Sequence, residues 1–389
     1  MRLSCFVFLL VCRLGFAAPP ENATPGDGLP KAAGALVAIG DVHGDLDTFF
    51  TLLREVDLID AKGRWSGGAR HLVQTGDLLD RGARSRGVVD LLMRLQIEAQ
   101  EAGGRVVVLL GNHEVMNVVG DLRYVLKEEF AAYAGEEDDR LRKVERGKIL
   151  ELFRQGSPLL GSQYYRALSR QLTARNFDRA FPPGYFAHRR TFSPEGRSGK
   201  WLAGLPFAHV ESRTLFVHGG LTEKYGLLSV DSLNQQCKQD LNLYLRAIAE
   251  LETLGVYRRS LGSGRLRELA AAERRAGGSD PRVRRLLATI ASVWKGVLYS
   301  EDGPVWNRSL ALDPEARRAR SVRRILRAHD VERIVIGHSQ PRSLKVEARF
   351  DSRVILIDTG MNQSFYRGTP SALLLDPKGT FEVITLGGR

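Results

Sequence analysis

Three apolar segments near the start of the chain each end in a glycine-flanked polar loop, and this feature restricts the fold most. The segments Ala35–Ile39, Leu72–Thr75 and Arg105–Leu110 are predicted strands. Helical patterns at Leu46–Val56 and Ser85–Glu101 follow the first two. Strand–loop–helix units in succession predict right-handed crossovers and a parallel sheet. The loops at the carboxyl ends of such strands are where open α/β sheets bind ligands.

The rest of the chain predicts one domain over residues 34–389 with two helical insertions. The insertions, at about 121–200 and 222–287, are polar and mainly helical in pattern. Further strands are predicted at Leu215–Val217, Val331–Ile336, Val354–Ile357, Ala372–Leu375 and Phe381–Thr385.

The first residues have the pattern of a targeting segment. Arg2 precedes an apolar run over Leu3–Val11, and Gly15-Phe16-Ala17 is a small-x-small cleavage pattern. We therefore expect a signal peptide at 1–17 and a Pro- and Gly-rich linker at 18–33. The signal peptide would direct the protein to the secretory or endomembrane pathway, or lead to its secretion. The alternative is a plastid reached through a bipartite signal, because Phe16-Ala17-Ala18-Pro19 is similar to the start of a transit segment. No stretch predicts stable membrane insertion.

The charge balance favours anionic partners. The formal net charge is +12, and arginine supplies most of the positive charge. A basic helical pattern over Arg317–Arg327 contains no aromatic residues on which bases could stack, so we expect no nucleic-acid partner. The sequence does not indicate an oligomeric state.

Five loops that follow predicted strands carry side chains suited to metal binding and phosphate chemistry. These side chains are Asp41 and His43; Asp77, Asp80 and Arg81; Asn112 and His113; His218; and His338. A mixture of carboxylate, carboxamide and imidazole ligands suits Mn, Fe or Zn rather than Mg or Ca. The candidates are numerous enough to hold two ions that share one bridging carboxylate.

The motifs in these loops resemble the signature of the phosphoprotein phosphatase (PPP) family of metallophosphoesterases. The matching segments are Gly40-Asp41-Val42-His43-Gly44, Gly76–Gly82, Gly111-Asn112-His113-Glu114 and His218-Gly219-Gly220. Two further segments, Gly303–Arg308 and Asp358-Thr359-Gly360-Met361, are similar to the Shewanella-like, bacterial-type branch.

The resemblance implies a calcineurin-like, four-layer α/β sandwich, in which two facing mixed sheets are flanked by helices and carry helical insertions. It also implies two divalent ions, for which we expect Mn²⁺ with Fe or Zn as alternatives. Asp41 and His43 would hold the first ion, and Asp77 would bridge the two. Asn112, His218 and His338 would hold the second ion.

The resemblance also assigns roles in hydrolysis of a phosphate monoester by a metal-bridging hydroxide. Arg81 and Arg308 would clamp the phosphate, and His113, oriented by Asp80, would be the general acid. The expected substrate is a protein or peptide phosphorylated on serine or threonine. A dinucleoside polyphosphatase shares the same motifs and is the alternative. An inactive binding module is disfavoured because all six ligands are present.

Overall fold

The computed structural model describes residues 36–160, 165, 172–173, 175–276, 279–376 and 380–387. The predicted signal peptide at 1–17 and the linker at 18–33 lie outside the described residues and remain predictions.

The described strands form two five-stranded mixed sheets. In chain order they are β1 (Leu36–Ile39), β2 (His71–Gln74), β3 (Arg105–Val108), β4 (Ala208–Glu211), β5 (Thr214–Val217), β6 (Arg333–Ile336), β7 (Glu347–Arg349), β8 (Val354–Leu356), β9 (Ser371–Leu375) and β10 (Phe381–Thr385). The strand orders are β10-β9-β1-β2-β3 and β4-β5-β6-β8-β7. Strands β1, β2 and β3 are parallel, as the sequence predicts, and so are β5, β6 and β8.

Helices connect and cover the sheets. They are α1 (Leu46–Glu55), α2 (Ser85–Glu101), α3 (Asn112–Val119), α4 (Lys127–Ala131), α5 (Asp139–Gln155), α6 (Phe177–Ala180), α7 (Tyr185–Thr191), α8 (Arg197–Gly204), α9 (Glu223–Gly226), α10 (Val230–Thr253), α11 (Gly262–Ala276), α12 (Pro281–Val293), α13 (Ser309–Leu312) and α14 (Glu315–His329). Short 3₁₀ turns lie at Ala134–Glu136 and Arg259–Leu261. No helix of the described residues is both long and apolar enough to cross a bilayer.

The alternation of side chains along the strands builds the layers. In β1, Leu36 and Ala38 belong to the core between the two sheets, whereas Val37 and Ile39 belong to the core beneath the helices. Successive residues of a strand point to opposite faces, so an entirely apolar strand is buried on both sides. The inter-sheet core also contains Val73, Leu109, Phe216, Val335, Ile355, Ile357, Leu373 and Leu375. This arrangement confirms the predicted four-layer sandwich.

The helices after α3 form two groups beside the sheets. Helices α4 to α8 lie between α3 and β4 in the chain, and α9 to α14 lie between β5 and β6. Helix α3 contacts α8 from the first group and α10 from the second. Both groups therefore support the helix that begins with Asn112 and His113.

Candidate active site

The structure brings all six predicted metal ligands to one place at the carboxyl ends of the parallel strands. They come from the loops after β1, β2, β5 and β6 and from the first turn of α3. Each is at least nine-tenths buried; the six are Asp41, His43, Asp77, Asn112, His218 and His338.

Asp77 lies at the centre of this group. Its Oδ2 is 3.6 Å from Nε2 of His43 and 3.8 Å from Nε2 of His113. Its Oδ1 is 3.3 Å from Nε2 of His218. Two sets of side chains could each hold an ion, His43–Asp77–His113 and Asp77–His218–His338, and Asp77 belongs to both. A carboxylate shared in this way is suited to bridging two ions.

The other two predicted ligands flank these sets. Asp41 Oδ2 is 3.8 Å from His43 Nε2. Asn112 Oδ1 is 3.0 Å from His218 Nε2. The distances therefore place Asp41 beside the first set and Asn112 beside the second.

Backbone carbonyls fix the orientation of two of the imidazoles. His43 Nδ1 lies 2.9 Å from the Leu79 carbonyl oxygen, and His218 Nδ1 lies 2.9 Å from that of Thr75. Such contacts fix the tautomer of a histidine, so that Nε2 carries no proton and could ligate an ion. The buried Nε2 of His338 has no hydrogen-bond partner among the described residues.

The electrostatics of the site fit divalent cations. Burial and the neighbouring carboxylates of Asp358 and Asp77 raise the pKa of Asp41 well above its ordinary value. Burial also lowers the pKa of His43 and of His338, so both are neutral and able to ligate. Crowded carboxylates, an unpartnered imidazole nitrogen and borderline ligand chemistry together fit two such ions.

His113 and Asp80 form a separate pair beside the ligands. His113 Nδ1 lies 2.5 Å from Asp80 Oδ2, and the Asn117 amide donates to Asp80 Oδ1 at 2.9 Å. His113 Nε2 is buried and has no hydrogen-bond partner among the described residues. Burial by itself lowers the pKa of His113, but the carboxylates of Asp77 and Asp80 outweigh it, and the net pKa is raised.

The two predicted phosphate-binding arginines contact different ligand residues. Arg81 Nη1 lies 2.6 Å from His43 Nε2, and the same nitrogen donates to the hydroxyl of Tyr366. Arg308 is exposed and donates to the His338 carbonyl oxygen at 2.8 Å and to the Ser339 hydroxyl at 3.1 Å.

Glu114 is a buried residue of the site to which the sequence analysis gave no role. Its Oε1 accepts from the backbone N–H groups of Leu78 at 2.8 Å and Leu79 at 3.3 Å. Its Oε2 accepts from the backbone N–H groups of Asp77 and Gly111, both at 2.8 Å. One carboxylate thus joins the loop that holds Asp77 to the start of α3. Glu114 occupies position N3 of α3, and a glutamate at N3 is the capping-box signal from which its role could have been predicted.

Asp358 is the second such residue. It is fully buried after β8 and shares a hydrogen bond with the side chain of Asp41. Burial raises the pKa of Asp358 to about 6. Like Asp41 and Asp77, it follows a predicted strand and has a glycine nearby in the sequence, and this signal could have indicated it.

The site loops contain several residues in the left-handed region of backbone space. Non-glycine residues there are uncommon, and strain of this kind concentrates at functional sites. The φ values are 47° for His43, 54° for Asp77, 69° for Asp80, 63° for Arg81 and 63° for His338. Gly111 is needed for close approach, because a Cβ there would lie 2.3 Å from Asp77 Oδ1.

Comparison with known proteins gives a consistent result. The chain is 23% identical over 343 residues to Shewanella-like protein phosphatase 1 of Plasmodium berghei, covering 87% of this chain and 70% of that protein. It is 47% identical over 102 residues to Shewanella-like protein phosphatase 2 of Arabidopsis thaliana, and this match spans only 26% of that protein. These relatives confirm the branch that the sequence motifs predict.

The fold has close counterparts among solved structures. A cold-active protein-tyrosine phosphatase of a psychrophilic Shewanella species superimposes with a TM-score of 0.54 and 22% identity, covering 91% of this chain and 82% of the other. The calcineurin-like phosphoesterase family model matches residues 35–250, more than half of the chain. The chain therefore belongs to the calcineurin-like phosphoesterases.

Proposed function

We propose that the protein is a phosphatase that uses two divalent metal ions to remove phosphate from phosphoserine or phosphothreonine in proteins. The observation that carries the proposal is the double membership of Asp77, which is shared by two potential ligand sets while His113 and Arg81 lie beside it. The similarity to Shewanella-like protein phosphatases supports a phosphoprotein substrate.

The metal ligands of the chain would be Asp41 and His43 for one ion and Asn112, His218 and His338 for the other, with Asp77 between them. Manganese is the first candidate for these positions. Ions bound by these residues would supply an acidified water as the nucleophile and would offset the negative charge of the phosphate.

His113 is suited to protonate the leaving group. Asp80 accepts from Nδ1, which leaves Nε2 as the nitrogen that can carry a proton toward the substrate. An alkoxide is a poor leaving group, so a positioned acid assists it strongly. Asn117 in turn holds Asp80, which keeps the imidazole in one orientation.

Charge that develops on the phosphate would be met by Arg81 and Arg308. A guanidinium presents several N–H donors in a fixed fork that matches phosphate oxygens. The Arg81 guanidinium lies 5.4 Å from the ring centre of Tyr124 and 5.5 Å from that of Tyr366, which restricts its movement.

The direct test is a panel of matched peptides phosphorylated on serine, threonine or tyrosine, together with diadenosine tetraphosphate. We expect the serine and threonine peptides to be hydrolysed in a reaction that depends on added Mn²⁺. Turnover is measured as the release of inorganic phosphate. A clear preference for the dinucleotide would favour the dinucleoside polyphosphatase alternative, and no turnover with any metal would favour a binding module.

Phosphotyrosine is a second candidate, and an aromatic rim formed by Tyr124, Phe365 and Tyr366 favours it. Tyr124 is 41% exposed and Phe365 is 58% exposed, although both are large and apolar. The ring of Tyr124 lies 5.2 Å from that of His113, and that of Tyr366 lies 5.8 Å from that of His43. Aromatic rings at the edge of a phosphate site could pack against a phenyl group in the substrate.

Phe365→Ala distinguishes these two candidates. If the aromatic rim packs against the substrate ring, the substitution should raise KM for the phosphotyrosine peptide and leave that for the matching phosphoserine peptide unchanged. Equal effects on both peptides would remove the support that the aromatic rim gives to phosphotyrosine.

A further inference from the structure

A cavity in the helical insertions is lined by a buried arginine. Its volume is about 300 Å³, and its lining includes Leu141, Phe186, Arg189 and Arg258. Arg189 is only 5% exposed and lies on α7. Sites for small molecules are typically concave, largely apolar and provided with a few placed polar groups.

The guanidinium of Arg189 is incompletely satisfied. Nη1 donates to the Asn117 carbonyl oxygen at 2.6 Å, but the buried Nε has no hydrogen-bond partner within the described part of the chain. Arg189 forms no salt bridge with any of the described carboxylates, and burial lowers its pKa. A buried charge of this kind normally has a counter-ion, because removal from water is unfavourable.

The acidic residues of the same cavity are already paired. Glu145 lies 3.1 Å from Arg258 Nη2, Glu252 lies 2.9 Å from Arg259 Nε, and Glu195 lies 2.8 Å from Arg259 Nη1. They therefore neutralise Arg258 and Arg259 and leave the charge of Arg189 uncompensated.

We propose that this cavity binds a small carboxylate with an apolar tail, whose carboxylate pairs with Arg189. Arg189 lines the cavity, and a guanidinium matches a flat carboxylate, which can accept two parallel hydrogen bonds. Leu141 and Phe186 supply the apolar surface for the tail.

Arg189 is also connected to the candidate general acid. It contacts the C-terminal end of α3 through the Asn117 carbonyl, while the Asn117 side chain donates to Asp80 at 2.9 Å and Asp80 holds His113 at 2.5 Å. An anion that draws the Arg189 side chain toward the cavity therefore changes its contact with Asn117. Through Asn117 and Asp80, this change reaches the position of His113. This consequence for activity rests on the proposed function, whereas the binding site does not.

The test of binding is calorimetric titration of the full chain with hexanoate, and with hexanol as a probe of the same length without charge. We expect hexanoate to bind and hexanol to bind at least ~10-fold more weakly, because a hydrogen bond to a charged group contributes at least that factor. Arg189→Gln should reduce hexanoate affinity by a similar factor. Arg140→Gln, an exposed arginine of α5 outside the cavity lining, should not change it.

If Arg189→Gln fails to fold, hydrogen exchange on the unaltered protein tests the binding site instead. Hexanoate should protect amides of α7 and of the turn at Arg259–Leu261. Unchanged affinity in Arg189→Gln, or absence of protection in both segments, overturns the site. Saturating hexanoate should also change kcat for an alkyl phosphate. If hexanoate binds without changing kcat, only the coupling to His113 is overturned and the binding site stands.

Discussion

At the scale of single residues, His113 offers the sharpest test of the chemistry. His113→Asn should lower activity on an alkyl phosphate by roughly 10²–10⁴, the usual contribution of general acid catalysis. Loss on an aryl phosphate with an acidic leaving group should be much smaller, because that group scarcely needs a proton. Asp80→Asn should show the same selectivity in milder form, since it disturbs the orientation of the imidazole.

Steady-state kinetics on both substrates, with metal content measured by mass spectrometry, checks this prediction. His329→Asn is a suitable control, because His329 Nε2 lies 2.9 Å from the Gly226 carbonyl oxygen and His329 belongs to neither ligand set. Equal losses on both substrates, or loss of an ion, would make His113 a ligand, a role that its place in one of the two ligand sets allows.

Glu114 tests whether one buried carboxylate maintains the site loops. Glu114→Gln should lower the free energy of unfolding by at least ~2 kcal/mol, because an amide has one acceptor oxygen and would leave buried N–H groups unpaired. Glu128→Gln, an exposed substitution on α4, is the matched control. Urea unfolding gives both values, and similar stabilities for the two variants would contradict the role.

At the scale of elements, α4 contributes the carboxylate that caps α2. The N-cap residue Arg84 makes no side-chain cap, and Glu129 accepts from the Ser85 backbone N–H at 2.9 Å instead. The Ser85 hydroxyl accepts from the Asp80 backbone N–H at 3.2 Å. The first insertion thus helps to position the loop that contains Asp80.

The pH dependence of stability should reveal this buried cap. Burial raises the pKa of Glu129 to about 7, from an ordinary value of 4.5. The folded state therefore holds the proton more tightly, so the contribution of Glu129 to stability is greatest below pH ~4.5 and falls as the pH rises to about 7. The side chain introduced by Glu129→Gln cannot ionise. The free energy of unfolding of this variant, relative to that of the unaltered protein, should therefore rise by on the order of 3 kcal/mol across that range. Glu128→Gln should show no such trend, and parallel pH curves for Glu129→Gln would contradict the assignment.

Elements differ in how well the sequence predicts them. The buried strands β1 and β6 are largely apolar and are followed by glycine, so they and the ligands that follow them could be predicted. The edge strands β4 and β7 could not, because they carry polar residues and are only partly buried. The roles of Glu114 and Glu129 also escaped prediction, since each depends on a contact between residues more than 30 positions apart.

At the scale of the whole molecule, the candidate metal site joins the two sheets. Asp41 and Asp77 follow strands of the first sheet, whereas His218 and His338 follow strands of the second. Ions bound between them would connect the layers at one end, in addition to the apolar core that lies between the sheets. Metal binding should therefore stabilise the whole fold and not only order the loops.

Removal of metal should accordingly lower the melting temperature of the whole domain. A ligand that binds only the folded state stabilises it by about 2.7 kcal/mol per site at a free concentration of 100 times Kd. Scanning calorimetry should show a lower melting temperature in EDTA and recovery when Mn²⁺ is restored. Asp77→Asn should bind less metal and lose most of this shift, because a bridging position requires a full carboxylate charge, while the exposed substitution Asp351→Asn should retain it. Two equivalents of metal in Asp77→Asn, with an undiminished shift, would show that the ions do not depend on a bridge at this residue.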